Sequence, residues 1–205
     1  IGEEKVIMFQ ANYPVIGIQE CYPVYLTGIG ISDPEFHTHR EEGLISHQIL
    51  FTMSGKGKII VGDKEYTAGK GSIFYVASGE PHTYYPIDGD WRTYWVVFRG
   101  DSLDAMMARL GFGRYVVKTI NDITEVKKLY EQIAAAAREP GDGAGHCSML
   151  VYQYILLMHK LLIVQQENRT GTVVDNAIMY MEKNYRDDIS LQTLASVCGI
   201  STQHF

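Results

Sequence analysis

Six short β-like segments separated by glycine-containing turns constrain the fold of this chain most. They lie between residues 13 and 99, are rich in β-branched and aromatic residues, and partly alternate between apolar and polar positions. Turn signals such as SGKG from Ser54 and AGKG from Ala68 recur at intervals of about 8–12 residues. No helix-length segment interrupts the strands, which argues against a parallel α/β sheet. The pattern predicts a closed antiparallel barrel or a jelly roll.

After Gly100 the apolar residues change to a helical period. One predicted helix carries Ile123, Val126, Tyr130 and Ile133 on one face, and a proline- and glycine-containing break follows it. The next helix has two apolar strips, one with the spacing of a coiled-coil seam. We expect antiparallel helices over about residues 101–166, with the second helix either forming a dimer seam or buried in its own domain. The seam consists of Leu150, Tyr154, Leu157, Leu161 and Val164, and the second strip of Ile155, Met158 and Leu162.

Composition limits the function classes. The 46% of hydrophobic residues is enough for a sizeable core, and the net charge of −6 argues against a chain that binds nucleic acid over its whole surface. The three cysteines are far apart, as is typical of a reducing compartment, so we expect a cytoplasmic protein. No apolar run reaches about 18 residues, so we expect no membrane span. Since the chain does not begin with Met, we expect its numbering to start inside a longer product.

The last 34 residues have the spacing of a helix-turn-helix. Thr172 and Asp175 form a capping-box pattern, and the polar stretch before them is typical of a linker. Ser190 is a candidate N-cap, Ala195 supplies a small residue where two helices would cross, and Gly199 suits the left-handed position that ends a helix. Together these residues favour a helix-turn-helix, in which Ser201 would cap the next helix.

The stretch DNAIMYMEKNYRDDISLQTLASVCGISTQHF resembles the first helix-turn-helix of AraC-type transcription regulators. The stretch from His47 to Tyr84 and the segment WRTYWVVF, with Arg40, resemble the effector-binding domain of the same family, and the two resemblances occur in the family's order. The resemblance implies an α+β fold: a cupin-like β-barrel (jelly roll) followed by antiparallel helices and the truncated start of an all-α domain. It divides the chain into an effector-binding and dimerisation part over 1–166, a linker over 167–171, and a partial helix-turn-helix over 172–205.

The same resemblance implies the site residues. In the family, positions that match Arg40, Tyr84, Thr93 and Trp95 line a sugar pocket, and His82 shares a strand face with Tyr84. We therefore expect a small effector, a sugar or sugar derivative, bound by Arg40, His82, Tyr84, Thr93 and Trp95. An arabinose-binding member has a histidine where Thr93 stands, which argues against arabinose itself. Trp91 is expected to fill the barrel.

The helix-turn-helix implies DNA contacts in the intact regulator. Thr202 and Gln203 would lie near DNA, and Ser201 would cap the helix and contact phosphate. Because the chain stops at Phe205, five residues after Ile200, little more than one turn of the recognition helix can form. We therefore expect this chain not to bind its operator specifically.

Two histidine motifs raise a metal-dependent alternative. His37 and His39, with His82 further on, resemble the ligands of metal cupins, but Gly43 and Leu44 stand where the metal-binding glutamate would fall. We expect the first two histidines on a loop at the barrel mouth, and no metal, cofactor or catalysis. The alternatives are a metal-dependent cupin enzyme acting on a small sugar or acid, and a barrel that dimerises without a ligand.

The resemblance thus implies a ligand-responsive, homodimeric bacterial transcription regulator of the cytoplasm. Its partners would be a small effector and, in the intact protein, operator DNA. The N-terminal arm, about residues 1–15, offers Met8, Phe9, Tyr13 and Pro14 for a lid over the effector.

Overall fold

The computed structural model of the 205-residue chain describes residues 8–14, 17–139, 143–164, 176–185 and 188–205. The chain divides into two compact units, Ile1–His159 and Lys160–Phe205. The predicted linker at 167–171 and the capping pair Thr172 and Asp175 lie outside the described residues.

The first unit is built on one antiparallel sheet of eight strands among the described residues. Neighbours run in the order β1-β2-β7-β4-β6-β8, while β3 pairs with β7 and β5 with β4. The antiparallel, cupin-like fold is thus confirmed, but the sheet is not closed, because its path ends at β1 and β8. The strands are β1 Met8–Asn12, β2 Tyr25–Asp33, β3 Thr38–Arg40, β4 His47–Val61, β5 Lys64–Ala68, β6 Ser72–Val76, β7 His82–Arg99 and β8 Tyr115–Thr119.

The long strands β4 and β7 bend the sheet over a packed interior. Their pairing shifts register between Thr52 and Ser54 and again between Gly55 and Lys56, and such bulges increase local bend and twist. Buried side chains fill the space inside the bent sheet. Its buried core contains Leu50, Ile59, Val61, Ala68, Phe74, Val76, Tyr84, Trp91 and Trp95.

Trp91 occupies the centre of this core, as expected. It is fully buried, and its indole Nε1 donates to Oγ1 of Thr52 at 3.0 Å. Gly57 makes room for the ring, because a Cβ at this position would lie 2.2 Å from the indole. The hydrogen bond satisfies the polar end of a side chain that otherwise supplies only apolar contact area.

Helices cover one side of the sheet. They are a 3₁₀ turn at Ile18–Cys21, α1 at Leu103–Arg109, α2 at Thr124–Ala136 and α3 at Gly143–His159. The predicted face of α2 is confirmed, since Val126, Tyr130 and Ile133 are buried. α3 packs against α2 and β2, and the Ser148 hydroxyl donates to the carbonyl oxygen of Val24.

Two residues from each of the apolar strips predicted for the helix are buried in the first unit. Leu150 and Tyr154 of the seam are buried, and Ile155 and Met158 of the second strip are fully buried. These four side chains are therefore not available to a second copy of the chain, which agrees with the alternative of a helix buried in its own domain. The segment Gly143–Val164 is long and apolar enough to span a membrane by length and composition, but these buried residues are typical of a core helix. The large apolar side chains that α3 exposes are Met149, Tyr152 and Leu156.

The second unit contains a π-helical segment at Lys160–Val164, a helix over residues 176–183, designated α4, and α5 at Leu191–Val197. The N-cap at Ser190 is confirmed, since its side chain accepts from the Thr193 amide at 3.0 Å. In α4, Ala177 is buried, whereas Ile178 and Met181 are exposed.

α5 ends as predicted at Gly199, which has a φ of +67°. The Gly199 amide donates to Ser196 O and the Ile200 amide to Ala195 O. These two bonds form a Schellman motif, which satisfies carbonyls that the helix end would leave unpaired.

Candidate ligand-binding site

The first unit contains a cavity of about 430 Å³ lined by residues from β1, β2, β3, β4, β7 and the loops next to them. This volume lies in the range of small-molecule sites. Three of the five predicted ligand-binding residues, Arg40, Tyr84 and Trp95, line the cavity. His82 and Thr93 lie behind the wall, where each contacts a residue that lines it, Arg40 and Glu35 respectively.

The half-buried Arg40 guanidinium is held on the cavity wall by neutral partners. Its Nη1 lies 2.9 Å from Oε1 of Gln48, 2.9 Å from Nε2 of His82 and 3.5 Å from the hydroxyl of Tyr84. Gln48 Nε2 also approaches the Tyr84 hydroxyl at 3.5 Å. β3 pairs with the start of β7, with Thr38 opposite Tyr84 and Arg40 opposite His82. The register of one strand pair therefore brings the two predicted residues together.

The His82 ring is fixed in its neutral form. Its Nδ1 lies 2.7 Å from the carbonyl oxygen of Glu80, which can only accept, so Nδ1 carries the proton and Nε2 accepts from Arg40. Burial lowers the pKa of His82, and the Arg40 charge lowers it further, against an opposing effect of the Glu80 carbonyl. His82 thus orients Arg40 without competing with it for an anion.

Glu35 places a buried carboxylate on the same cavity wall. Its Oε1 accepts from the Phe36 amide at 2.8 Å, and its Oε2 accepts from the Thr93 hydroxyl. Burial raises the pKa of Glu35, while the bonds from Thr93, Phe36 and Ser32 and the charge of Arg40 oppose that rise. Thr93 therefore acts on the cavity through Glu35.

Aromatic rings complete the wall around Trp95. The rings of Phe9 and Tyr13 lie 6.4 and 5.8 Å from the Trp95 ring, and Phe9 lies 5.5 Å from Phe36. The Trp95 indole Nε1 donates to Ser32 Oγ at 3.2 Å. The arm residues Phe9 and Tyr13 thus line the cavity next to Trp95, one of the predicted ligand-binding residues.

A larger groove, of about 780 Å³, lies between β1, β2 and α2. None of the predicted ligand-binding residues lines it. Its walls include Ala134 and Ala135 of α2, and nearby Asn12 Nδ2 donates to the carbonyl oxygen of Ala137 at 3.0 Å. The predicted ligand-binding residues that line a cavity therefore line the smaller one.

Only one of the two neighbouring histidines of the metal alternative lies on a loop as expected. His37 is on an exposed loop, as expected, but His39 belongs to strand β3 because its backbone pairs with Thr83. The His39 side chain is exposed, and its Nδ1 lies 2.7 Å from Thr83 Oγ1. Within the described ranges, no three His, Cys, Asp or Glu side chains come together as a metal site.

The residues predicted to contact DNA follow Gly199 in the second unit. Ser201, Thr202 and Gln203 are exposed. The Phe205 amide donates to Ser201 O at 3.1 Å, which closes one helical turn, and Ser201 Oγ lies 2.7 Å from Nδ1 of His204. The serine hydroxyl thus contacts a side chain of this turn.

A family model described as the AraC-like ligand binding domain matches residues 23–147, which is more than half of the chain. The chain belongs to this family. The family resemblance predicted from the sequence is confirmed, and the match includes most of the AraC-like cavity wall: Glu35, Arg40, Gln48, Tyr84 and Trp95.

Individual relatives of this AraC-like chain are distant. The MmsAB operon regulatory protein of Pseudomonas aeruginosa is 22% identical over 174 residues, which cover 82% of this chain and 56% of that protein. The chain therefore spans about half the length of the curated relative it matches. Among solved structures, the AraC-like transcriptional activator CuxR is 14% identical with a TM-score of 0.43 (95% of this chain, 77% of that one). The ToxT variant K231A from Vibrio cholerae is 8% identical with a TM-score of 0.44 (99% and 74%).

The polar groups of the AraC-like cavity that sequence reasoning missed include Ser32, Glu35, Gln48 and Arg99. Gln48 carried a usable signal, because it is a polar residue in the otherwise apolar run that begins β4. Glu35 lies in the connection between β2 and β3, where no periodicity indicates which way a side chain points.

Proposed function

We propose that this chain is the ligand-sensing part of a bacterial transcription regulator, whose cavity binds a small effector. The observation that carries the proposal is the cavity lined by Arg40, Tyr84 and Trp95 within an AraC-like ligand-binding domain. Effector binding shifts how the DNA-binding domains are presented. Such a shift requires that the effector bind one arrangement more tightly than the other.

The proposed effector is a sugar or sugar derivative. Aromatic faces stack on the C–H surface of a sugar ring, and Trp95 offers such a face on the cavity wall. Arg40, Gln48 and Tyr84 supply a guanidinium, an amide and a hydroxyl that can bond to sugar hydroxyl groups. In this proposal His82 and Thr93 do not contact the effector. His82 orients Arg40, and Thr93 orients Glu35.

The N-terminal arm is proposed as the lid of this site. Strand β1 pairs with β2 along its length, from Met8 opposite Asp33 to Asn12 opposite Ile29. This pairing places Phe9 on the cavity wall, although 48% of its surface is exposed. A bound effector would cover that exposed aromatic surface and stabilise the arm.

The remaining parts of the proposal concern the intact regulator. It is a homodimer in the cytoplasm, with the effector-binding and dimerisation part over 1–166, a linker over 167–171 and the start of the first helix-turn-helix over 172–205. The exposed Met149, Tyr152 and Leu156 of α3 support a contact between two copies. Ser201, Thr202 and Gln203 contact operator DNA. The protein is not an enzyme; metal analysis of purified protein tests this point, since a stoichiometric transition metal would favour the cupin enzyme.

A thermal-shift screen with monosaccharides and disaccharides tests the proposed function. A ligand at 100 times its Kd stabilises the folded state by about 2.7 kcal/mol. The Trp95→Ala variant should lose the response, because it removes the stacking face. Trp91→Phe is the matched control, since Trp91 is a buried tryptophan of the same strand that does not line the cavity. An effector response that is unchanged in Trp95→Ala would remove the cavity from the proposal.

A further inference from the structure

We propose that the effector is a small hydroxylated carboxylic acid, whose carboxylate binds Arg40 and whose hydroxyl groups bind near Glu35. This inference rests on the proposed function, because it names the ligand class of the same cavity. It is carried by the charge and the unused hydrogen-bonding groups of the cavity wall.

The Arg40 guanidinium has an edge that no described residue uses. All of its hydrogen bonds to described residues, to Gln48, His82 and Tyr84, involve Nη1. A guanidinium has five N–H donors in a planar fork, so those on Nε and Nη2 remain for another partner. Two parallel N–H groups on one edge match the two oxygens of a carboxylate.

No described acidic side chain forms an ion pair with Arg40, although the charge of Arg40 opposes the rise in the pKa of Glu35 in the same cavity. The ion pairs of the described ranges involve other cations, and the three partners of Arg40 are neutral. Arg99 lines the same cavity, and Glu35 is the one acidic side chain among the lining residues. The wall therefore carries more positive than negative charge, which complements an anionic ligand.

Glu35 determines how the acid end and the hydroxylated end of the ligand are oriented in the cavity. Its two oxygens offer about four acceptor positions, and hydrogen bonds from the Phe36 amide and the Thr93 hydroxyl occupy two of them. The remaining positions suit a ligand hydroxyl group and repel a ligand carboxylate. The acid end therefore binds Arg40, and the hydroxylated end lies near Glu35 and the Trp95 ring.

A carboxylate fits this wall better than a phosphate ester. A phosphate carries close to two negative charges near neutral pH, and Glu35 in the same cavity would repel it more strongly. Phosphate sites commonly use helix N-termini, whereas the residues that line this cavity belong to strands and loops.

Matched acid and neutral pairs test the inference by thermal shift and titration calorimetry on the whole chain. The probes are gluconate with glucose, galacturonate with galactose, and glycerate with glycerol, and glucose 6-phosphate is included. At least one acid should bind about tenfold or more tightly than its neutral counterpart, because the carboxylate adds charge-assisted hydrogen bonds. Arg40→Gln should abolish this preference. Arg40→Lys keeps the charge without the planar fork and should weaken acid binding about tenfold.

Arg92→Gln is the matched charge control, because Arg92 pairs with Asp33 at 3.6 Å and does not line the cavity. It should keep the acid preference. The melting temperature of each ligand-free variant checks folding, and Arg40→Lys decides the matter if Arg40→Gln does not fold.

Each other result overturns the inference. Equal affinity for an acid and its neutral counterpart, acid binding that survives both Arg40 variants, or a response to the phosphate ester alone excludes the acidic class and leaves the proposed function standing. If neither acids nor neutral sugars produce a response, the proposed function fails with it.

Discussion

Nη1 of Arg40 lies 2.9 Å from Nε2 of His82, which joins a permanent cation to a neutral imidazole inside the protein. This arrangement holds only while His82 is unprotonated, because a second charge on the ring would repel the guanidinium. His47 is a second buried histidine, held between Tyr75 and Asp104, and burial lowers its pKa as well, although Asp104 opposes that effect.

We expect the free energy of unfolding to fall on acidification because of these two histidines. Each has a native pKa below its ordinary value of 6.5, so the unfolded chain binds more protons as the pH falls through that value. Their stabilising contribution is complete above about pH 6.5 and is lost below it, with a slope of at most about 1.4 kcal/mol per pH unit for each histidine. Urea unfolding between about pH 8 and pH 5 measures this slope.

His82→Gln should remove its own part of this pH dependence and leave that of His47. His39→Gln is the matched control, because 60% of the His39 side chain is exposed. A His82→Gln protein whose stability falls as steeply as the wild type would contradict the assignment of a neutral ring beside Arg40.

Thr93→Val should destabilise the protein through Glu35. The substitution keeps the shape of Thr93 but removes the hydroxyl that donates to the buried carboxylate. Loss of one partner of a buried polar group costs about 1–3 kcal/mol. Chemical denaturation measures the change, and Thr93→Ser is the control that retains the hydroxyl. If Thr93→Val and Thr93→Ser are equally stable, the bond to Glu35 contributes nothing.

Alternation along β7 indicates which side chains share a face of the strand, but not how deeply each side chain is buried. Alternation places Trp91, Thr93 and Trp95 on one face, and each does contact the interior. The bulges opposite Trp91 and the glycines facing each ring then decide which residue fills the core and which lines the cavity. These relationships depend on distant strands, so no local pattern contains them.

The same limit explains α3 and Glu35. Helical spacing identified two apolar strips on α3, but it could not show that α2 and the sheet together cover both. Glu35 follows β2 in an irregular connection, and its carboxylate is recognisable only through Thr93, which is 58 positions away in the chain. Capping signals were more reliable, because Ser190 and Gly199 act on backbone groups of their own helix.

Gly57→Ala should overpack the core around Trp91. Its Cβ would lie 2.2 Å from the indole ring, and overpacking of a filled core typically costs about 1–3 kcal/mol. The free energy of unfolding should be partly restored in the double variant Gly57→Ala with Trp91→Leu. Gly69→Ala is the control, since no atom lies within 4 Å of its added Cβ. Equal stability of the two single variants would exclude the close approach.

Removal of the arm's aromatic side chains should weaken effector binding. Phe9→Ala with Tyr13→Ala takes two rings from the cavity wall next to Trp95, whereas Gln10→Ala changes a residue of β1 that does not line this cavity. We expect the double variant to bind a confirmed effector about tenfold or more weakly by calorimetry, because each buried aromatic contact contributes about 1 kcal/mol. Deletion of residues 1–12 should have a similar effect. Unchanged affinity in both proteins would contradict the lid.

The two ends of α5 should contribute separately to the stability of that helix. Ser190→Ala removes the N-cap bond to the Thr193 amide and should cost about 1 kcal/mol, while Gly199→Ala forces a Cβ into a left-handed conformation at a similar cost. Hydrogen exchange of the α5 amides measures each effect, because faster exchange reports local opening of the helix. Ser196→Ala lies on the exposed face of α5 and should leave exchange unchanged. If Ser190→Ala exchanges at the wild-type rate, the hydroxyl does not hold the first turn of α5.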